Sequence, residues 1–269
     1  MRRAVAVAIA LGLVGFGAPR AALARRGVRL FFEPTDLELE GAGVIELDAQ
    51  LGLVKGQAPW RLVVPDFEVD IGVTRNFEID IDGAYSVEES KPDTFHFDSP
   101  APDNVWVCGK LGLVDWAADD DTPDAADAWV LGTQVGPKLP VIAGSHGVGV
   151  EGLMLLGHVI GRSHFALNLG AFVDPHPTPA GARPVGLEAG LDFSHDVDAR
   201  GLFQLTIELA GVHFTSPDPD QLLATGGVGF SPTPDTQITL TALYGFLGGN
   251  DRYGTLMGVA HKLRYFEAR

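Results

Sequence analysis

The chain is poor in cysteine, in basic residues and in long apolar runs. Its single cysteine, Cys108, excludes an internal disulfide. Nineteen lysines and arginines stand against 35 aspartates and glutamates, a formal net charge of −16, which argues against nucleic acid and anionic lipid surfaces as partners. Only Ala4 to about Ala18 is continuously apolar, and that run is shorter than the roughly 20 residues of a helical membrane span. Cys-x-x-Cys, Gly-x-Ser-x-Gly and His-Glu-x-x-His are all missing, and the eight histidines lack ligand spacing. The common redox, hydrolase and zinc signatures are therefore not available to this chain.

The apolar run follows Met1-Arg2-Arg3 and precedes Ala22-Leu23-Ala24, the pattern of a secretory signal peptide cleaved after Ala24. Losing Arg2, Arg3 and Arg20 leaves 16 of the 19 basic residues against 35 acids, a net charge of −19. The expected organisation is a signal peptide over 1–24, a lead-in over 25–42 and one domain over 43–269, because no linker or repeat divides the remainder.

What the chain has in abundance is alternation. In Phe67–Tyr85 one face carries Phe67, Val69, Ile71, Val73, Phe77, Ile79, Ile81 and Tyr85, and the other carries Glu68, Asp70, Glu78, Asp80 and Asp82. Successive side chains leave a strand on opposite faces, so period two predicts strands. The same reading predicts twelve: Gly43–Val54, Arg61–Val73, Phe77–Glu88, Asn104–Val114, Trp129–Leu139, Val148–Ile160, and runs opening near Phe165, Val185, Phe203, Leu222, Ile238 and Thr255. Pro65 interrupts the second and calls for a bulge or a strand start, since proline donates nothing to the ladder. Connections after even-numbered strands are mostly short (Thr74–Asn76, Gly161–Ser163, Asp196–Arg200, Pro232–Thr236), with acidic Asp115–Asp127 the exception. The others include Glu89–Asp103 and Asp174–Arg183, rich in Pro and Asp and expected to be solvated without a fold of their own.

A secreted β-sandwich also alternates, but its edge strands need protecting charge or proline, and here the apolar face stays uncharged on nearly every strand. The expected fold is all-β: a transmembrane antiparallel up-and-down barrel of about twelve strands in a bacterial outer membrane, apolar toward lipid and polar toward the lumen. Aromatics fall where the outward face meets the interfaces, with Phe77, Phe165, Phe193, Phe203 and Tyr265 on one rim and Tyr85, Phe246 and Tyr253 on the other.

Three stretches carry a resemblance to a known family. They are Val64-Pro-Asp-Phe-Glu-Val-Asp-Ile-Gly-Val-Thr-Arg-Asn-Phe-Glu-Ile-Asp-Ile-Asp-Gly-Ala-Tyr85, Leu131-Gly-Thr-Gln-Val-Gly-Pro-Lys-Leu-Pro140 and Gly226-Gly-Val-Gly-Phe-Ser-Pro-Thr-Pro-Asp-Thr-Gln-Ile-Thr-Leu240. In style, most of Glu33–Leu263 resembles the outer-membrane family described as "MetA-pathway of phenol degradation", a transporter-like group of barrels. The resemblance implies the barrel fold and supplies no catalytic or ligand residues.

Inward parity picks out a candidate permeation lining of Glu46, Asp48, Glu68, Asp70, Glu78, Asp80, Asp82, Glu151, Glu188, Asp192 and Glu208, with Lys110, Lys138, Lys262 and Arg264 as basic partners. Pairing across Thr74–Asn76 sets Asp70 by Asp80 and Glu68 by Asp82. Carboxylates about 5 Å apart repel by roughly 1 kcal/mol in water, so cations must offset them. Glu78-x-Asp80-x-Asp82-Gly83 has nearly the spacing of a calcium-binding EF-hand loop, but that loop works between helices, and no metal or cofactor is expected. Inward Trp106, Leu153, Leu155, Phe172 and Leu256 predict partial obstruction. The expected function is passive passage of small solutes, cation-preferring or small and partly apolar, with no enzymatic activity. The alternatives are a closed structural or adhesive barrel and, less favoured, an outer-membrane acyl hydrolase with Ser and His meeting on the lipid-facing rim. The partners expected are the bilayer, the outer-membrane assembly machinery and small solutes.

Overall fold

The computed structural model describes residues 39–265, apart from 57–58, 92, 98–100, 103–104, 115–126, 142–145, 176–184, 216–218 and 250. The expected signal peptide, most of the lead-in and most of the acidic connection after Val114 lie outside the described residues.

Twelve long strands form: β1 Val44–Lys55, β2 Trp60–Thr74, β3 Phe77–Glu88, β5 Val105–Val114, β6 Asp127–Leu139, β7 Gly149–Ile160, β8 Ser163–Val173, β9 Val185–Asp196, β10 Phe203–Phe214, β11 Gln221–Thr233, β12 Thr236–Gly245 and β13 Tyr253–Arg264. The two-residue β4, Ala101–Pro102, pairs only with β3. Each long strand pairs antiparallel with its neighbours in sequence, and β1 closes on β13 from Val44↔Arg264 to Lys55↔Tyr253. The result is a closed twelve-stranded up-and-down barrel without an open edge. The irregularity at Pro65 is present: the β2–β3 register shifts between Val63 and Asp66.

Burial is inverted relative to a soluble protein. On β10, Ile207 is 61% exposed while the adjacent Glu208 is 1% exposed; on β12, Leu240 is 57% exposed while Thr241 is 1% exposed. Among the described residues no Asp, Glu, Lys or Arg takes an outward position between the rims. An uncharged apolar exterior over a polar interior is the pattern hydrocarbon selects. At the short-turn rim Trp129 stacks on His158 at 4.1 Å, Phe165 meets Phe193 at 5.0 Å and Phe203 stacks on Phe230 at 5.1 Å. At the long-loop rim Trp60 meets Tyr253 at 5.8 Å and Tyr244 meets Phe246 at 5.2 Å. Trp129, Phe230, Trp60 and Tyr244 extend the belts read from the sequence.

Contrary to expectation, the connection after β3 has structure. The Glu89 carboxylate accepts backbone N–H groups of Trp60 (2.8 Å), Asp93 (3.1 Å) and Phe95 (2.6 Å). Asp93 and Phe95 both hold positive φ, 60° and 52°, a strained conformation for residues with a Cβ that this carboxylate offsets. Burial raises the proton affinity of Glu89, but the three donors outweigh it and hold the carboxyl below the usual carboxylate range. A lowered folded-state pKa means that Glu89 contributes fully above its unfolded value, about 4.3, and that the contribution is lost as pH falls through the lowered folded value. Trp60, stacked on Phe95 at 6.0 Å, reports on this loop. Its fluorescence in the native chain is expected to change only in acid, whereas Glu89→Gln shows the acid spectrum already at neutral pH.

Candidate functional site: the barrel interior

The two-residue turn Arg75–Asn76 fixes the β2–β3 register, and with β1 it draws the acids into two rows. Glu46, Asp70 and Asp80 lie abreast in one; Asp48, Glu68 and Asp82 lie abreast in the other. Carboxylate oxygens of Glu68, Asp70 and Asp80 come within 4.8 Å of one another. Such crowding survives only with compensation. Lys110, opposite Glu78 on β5, places Nζ 3.0 Å from its carboxylate, both side chains being almost wholly buried. Lys262, opposite Glu46 on β13, reaches Glu46 at 3.4 Å and Glu40 at 2.8 Å. Gln134 donates from Nε2 to Asp80 at 2.6 Å, and Cys108 Sγ lies 3.4 Å from the same oxygen.

The remaining predicted acids stand apart from this wall. Glu151 pairs with Lys138, which also lies 3.3 Å from Asp174 and 4.7 Å over the Phe172 ring. Glu188 is inward on β9 above Gly170. Asp192 and Glu208 face each other across β9–β10, with the Thr225 hydroxyl donating to Glu208 at 2.9 Å. Arg264 departs from expectation: as the last residue of β13 it lies at the rim, 46% exposed, 3.6 Å from Asp235 in the β11–β12 turn. The eleven acids therefore form one dense wall on β1–β3 and two smaller groups.

Sequence reasoning missed two features. The first is a neutral wall, with Gln204, Thr206, Thr225, Gln237, Thr239 and Thr241 buried on β10–β12; their inward parity is legible in the sequence, but hydroxyls and amides stand out less than charge. The second is in the lead-in, expected to lie outside the barrel. Leu39 is fully buried with Trp106, Cys108, Val130, Leu153 and Leu155, and Glu40 bonds to Lys262 inside the lumen. The alternation Leu37-Glu38-Leu39-Glu40 is the available signal. A second apolar group, Val54, Val63, Leu223, Leu243 and Leu256, fills the interior toward the long loops. The five residues expected to obstruct the lumen, Trp106, Leu153, Leu155, Phe172 and Leu256, are all buried.

On the outward face, Ser163 Oγ lies 2.9 Å from His195 Nδ1 at the short-turn rim. Thr236 and His261 repeat the arrangement at 3.0 Å. Among the described residues no carboxylate is bonded to either imidazole, so both pairs lack the orienting acid of a hydrolytic triad. Their recurrence with threonine reads as rim pairing that satisfies polar groups beside lipid.

No family model matches the chain, and no curated protein matches it. Among solved structures, the NanC porin is similar over 81% of this chain and all of that one, with a TM-score of 0.57 and 12% identity. The β domain of the Bordetella autotransporter BrkA covers 82% of this chain and 99% of its own at TM-score 0.46 and 12% identity. OmpT, an outer-membrane protein of Vibrio cholerae, covers 82% and 96% at TM-score 0.39 and 10% identity. Of these three, the NanC likeness is the one that bears on the fold. In fold the chain is a closed twelve-stranded antiparallel β-barrel, similar to that of the NanC porin.

Proposed function

We propose that the chain is a passive pore of the bacterial outer membrane with a constricted lumen, passing small cations and small neutral or partly apolar solutes. In this reading its other partners are the surrounding bilayer and the machinery that assembles outer-membrane barrels. One observation supports it most: carboxylate oxygens of Glu68, Asp70 and Asp80 converge to within 4.8 Å of one another on the lumen wall, with Glu46, Asp48 and Asp82 abreast of them in the same two rows. Rings and strips of carboxylate favour cations because the field they set up lowers the cost of shedding hydration. The test is single-channel recording in a planar bilayer under a salt gradient, with the full chain purified from outer membranes. Cation-selective steps whose reversal potential shrinks toward zero in Asp70→Asn/Asp80→Asn are expected. A folded, heat-modifiable barrel that gives no steps in any preparation would instead support a closed structural barrel. That second reading draws on the complete burial of Leu39, Leu155, Leu223 and Leu256 inside the lumen.

A further inference from the structure

We infer that Leu39–Gly41 is a displaceable gate, seated in the lumen against β2 and β13 and swinging on the glycines that precede β1; the inference rests on the lumen being a passage. Three independent features converge on this segment. Leu39, fully buried, completes the apolar cluster on the β5–β7 wall. Glu40 sets its carboxylate 2.8 Å from Lys262 and donates its backbone N–H to Glu78. Gly72 on β2 has no side chain where the segment passes: a Cβ there would lie 2.0 Å from the Gly41 carbonyl oxygen and 2.5 Å from that of Glu40. An inward glycine in a wall otherwise built of acids leaves a seat for a crossing backbone.

The same contacts make departure feasible. Lys262 retains Glu46 at 3.4 Å when Glu40 leaves, and Glu78 retains Lys110 at 3.0 Å, so withdrawal strands neither buried charge. Beyond the seat the chain turns sharply through Gly41-Ala42-Gly43, with Val44 N–H donating to the Gly41 carbonyl at 3.0 Å and Gly43 at φ 85°. Two glycines about one small residue form a hinge that can absorb a large φ/ψ change. Among the described residues, what holds the gate shut is the Leu39 side chain, the Glu40 carboxylate on Lys262 and the Glu40 N–H on Glu78, a scale suited to a two-state element.

Cys108, the only cysteine, lies 4% exposed in the cluster that Leu39 completes, and provides a readout independent of current. The probe is a charged, membrane-impermeant maleimide, applied to the native chain, to Gly72→Ala, which alters the seat alone, and to Leu39→Ala/Glu40→Gln, which alters the segment alone. Heat-modifiability on gels establishes that each barrel is folded. The expected result is labelling roughly tenfold faster in both variants than in the native chain, because the rate follows the open population. Larger conductance should accompany it. Labelling within about twofold of the native rate in both folded variants overturns the gate and leaves the pore reading intact where the native chain conducts. Faster labelling with no current from any of the three proteins supports displacement of the segment and overturns the passage on which its role as a gate rests.

Discussion

Replacing Lys110 with methionine is expected to destabilise the barrel by about 3–5 kcal/mol, the range for removing one partner of a buried ion pair. Lys110 and Glu78 are 3% and 2% exposed at 3.0 Å separation, so neither has bulk water to fall back on. Glu78 is flanked by Asp80 and Asp70 on the same wall, and methionine supplies volume without charge. The Lys110→Met/Glu78→Gln double variant should recover much of the loss, because the unpaired charge is then gone. Urea titration of the barrel in phospholipid vesicles, with both transitions fitted to the same slope, measures the difference. A loss below about 1 kcal/mol, the level of a solvated pair, would mean that the wall is hydrated and that Lys110 is not what holds the acids together.

The second large effect is on the outer face of the barrel, on β12. Leu240→Arg is expected to cost about 2–4 kcal/mol, and Tyr244→Arg on the same strand at the rim only about 0–1 kcal/mol, following the depth dependence of charge on a lipid-facing barrel surface. By exposure alone both positions would tolerate arginine, since each is 57% exposed. What separates them is the medium: Leu240 lies at mid-strand opposite Val228 and Met257, while Tyr244 pairs with Tyr253 in the aromatic belt. The same vesicle titration applies. Equal and negligible costs at the two positions would mean that the exterior faces water and would remove the basis for a membrane barrel.

The two rows of acids are legible in the sequence because they depend on local rules. Period two assigns each residue of Phe67–Asp82 to a face, and the turn Arg75–Asn76 leaves little freedom in the register of β2 against β3, so Asp70 by Asp80 and Glu68 by Asp82 follow directly. The bulge at Pro65 and the uncharged exterior follow from equally local chemistry. The pairing of lysines with acids does not. Lys110 reaches Glu78 across the long connection between β3 and β5, whose length leaves the register open, and Lys262 reaches Glu46 only because β13 closes on β1.

Residue order alone is enough to specify a barrel of about twelve strands, which side chains face lipid and which face inward, and the crowding of inward acids on β1–β3. It takes the closed ring to fill most of the lumen, keep Arg264 at the rim, build part of a loop on Glu89 and bring Leu39 and Glu40 into the interior. Range separates the two groups. Face and turn are set by neighbours within a few residues, whereas filling a lumen depends on side chains meeting across a closed ring, brought together by the register of every strand between them.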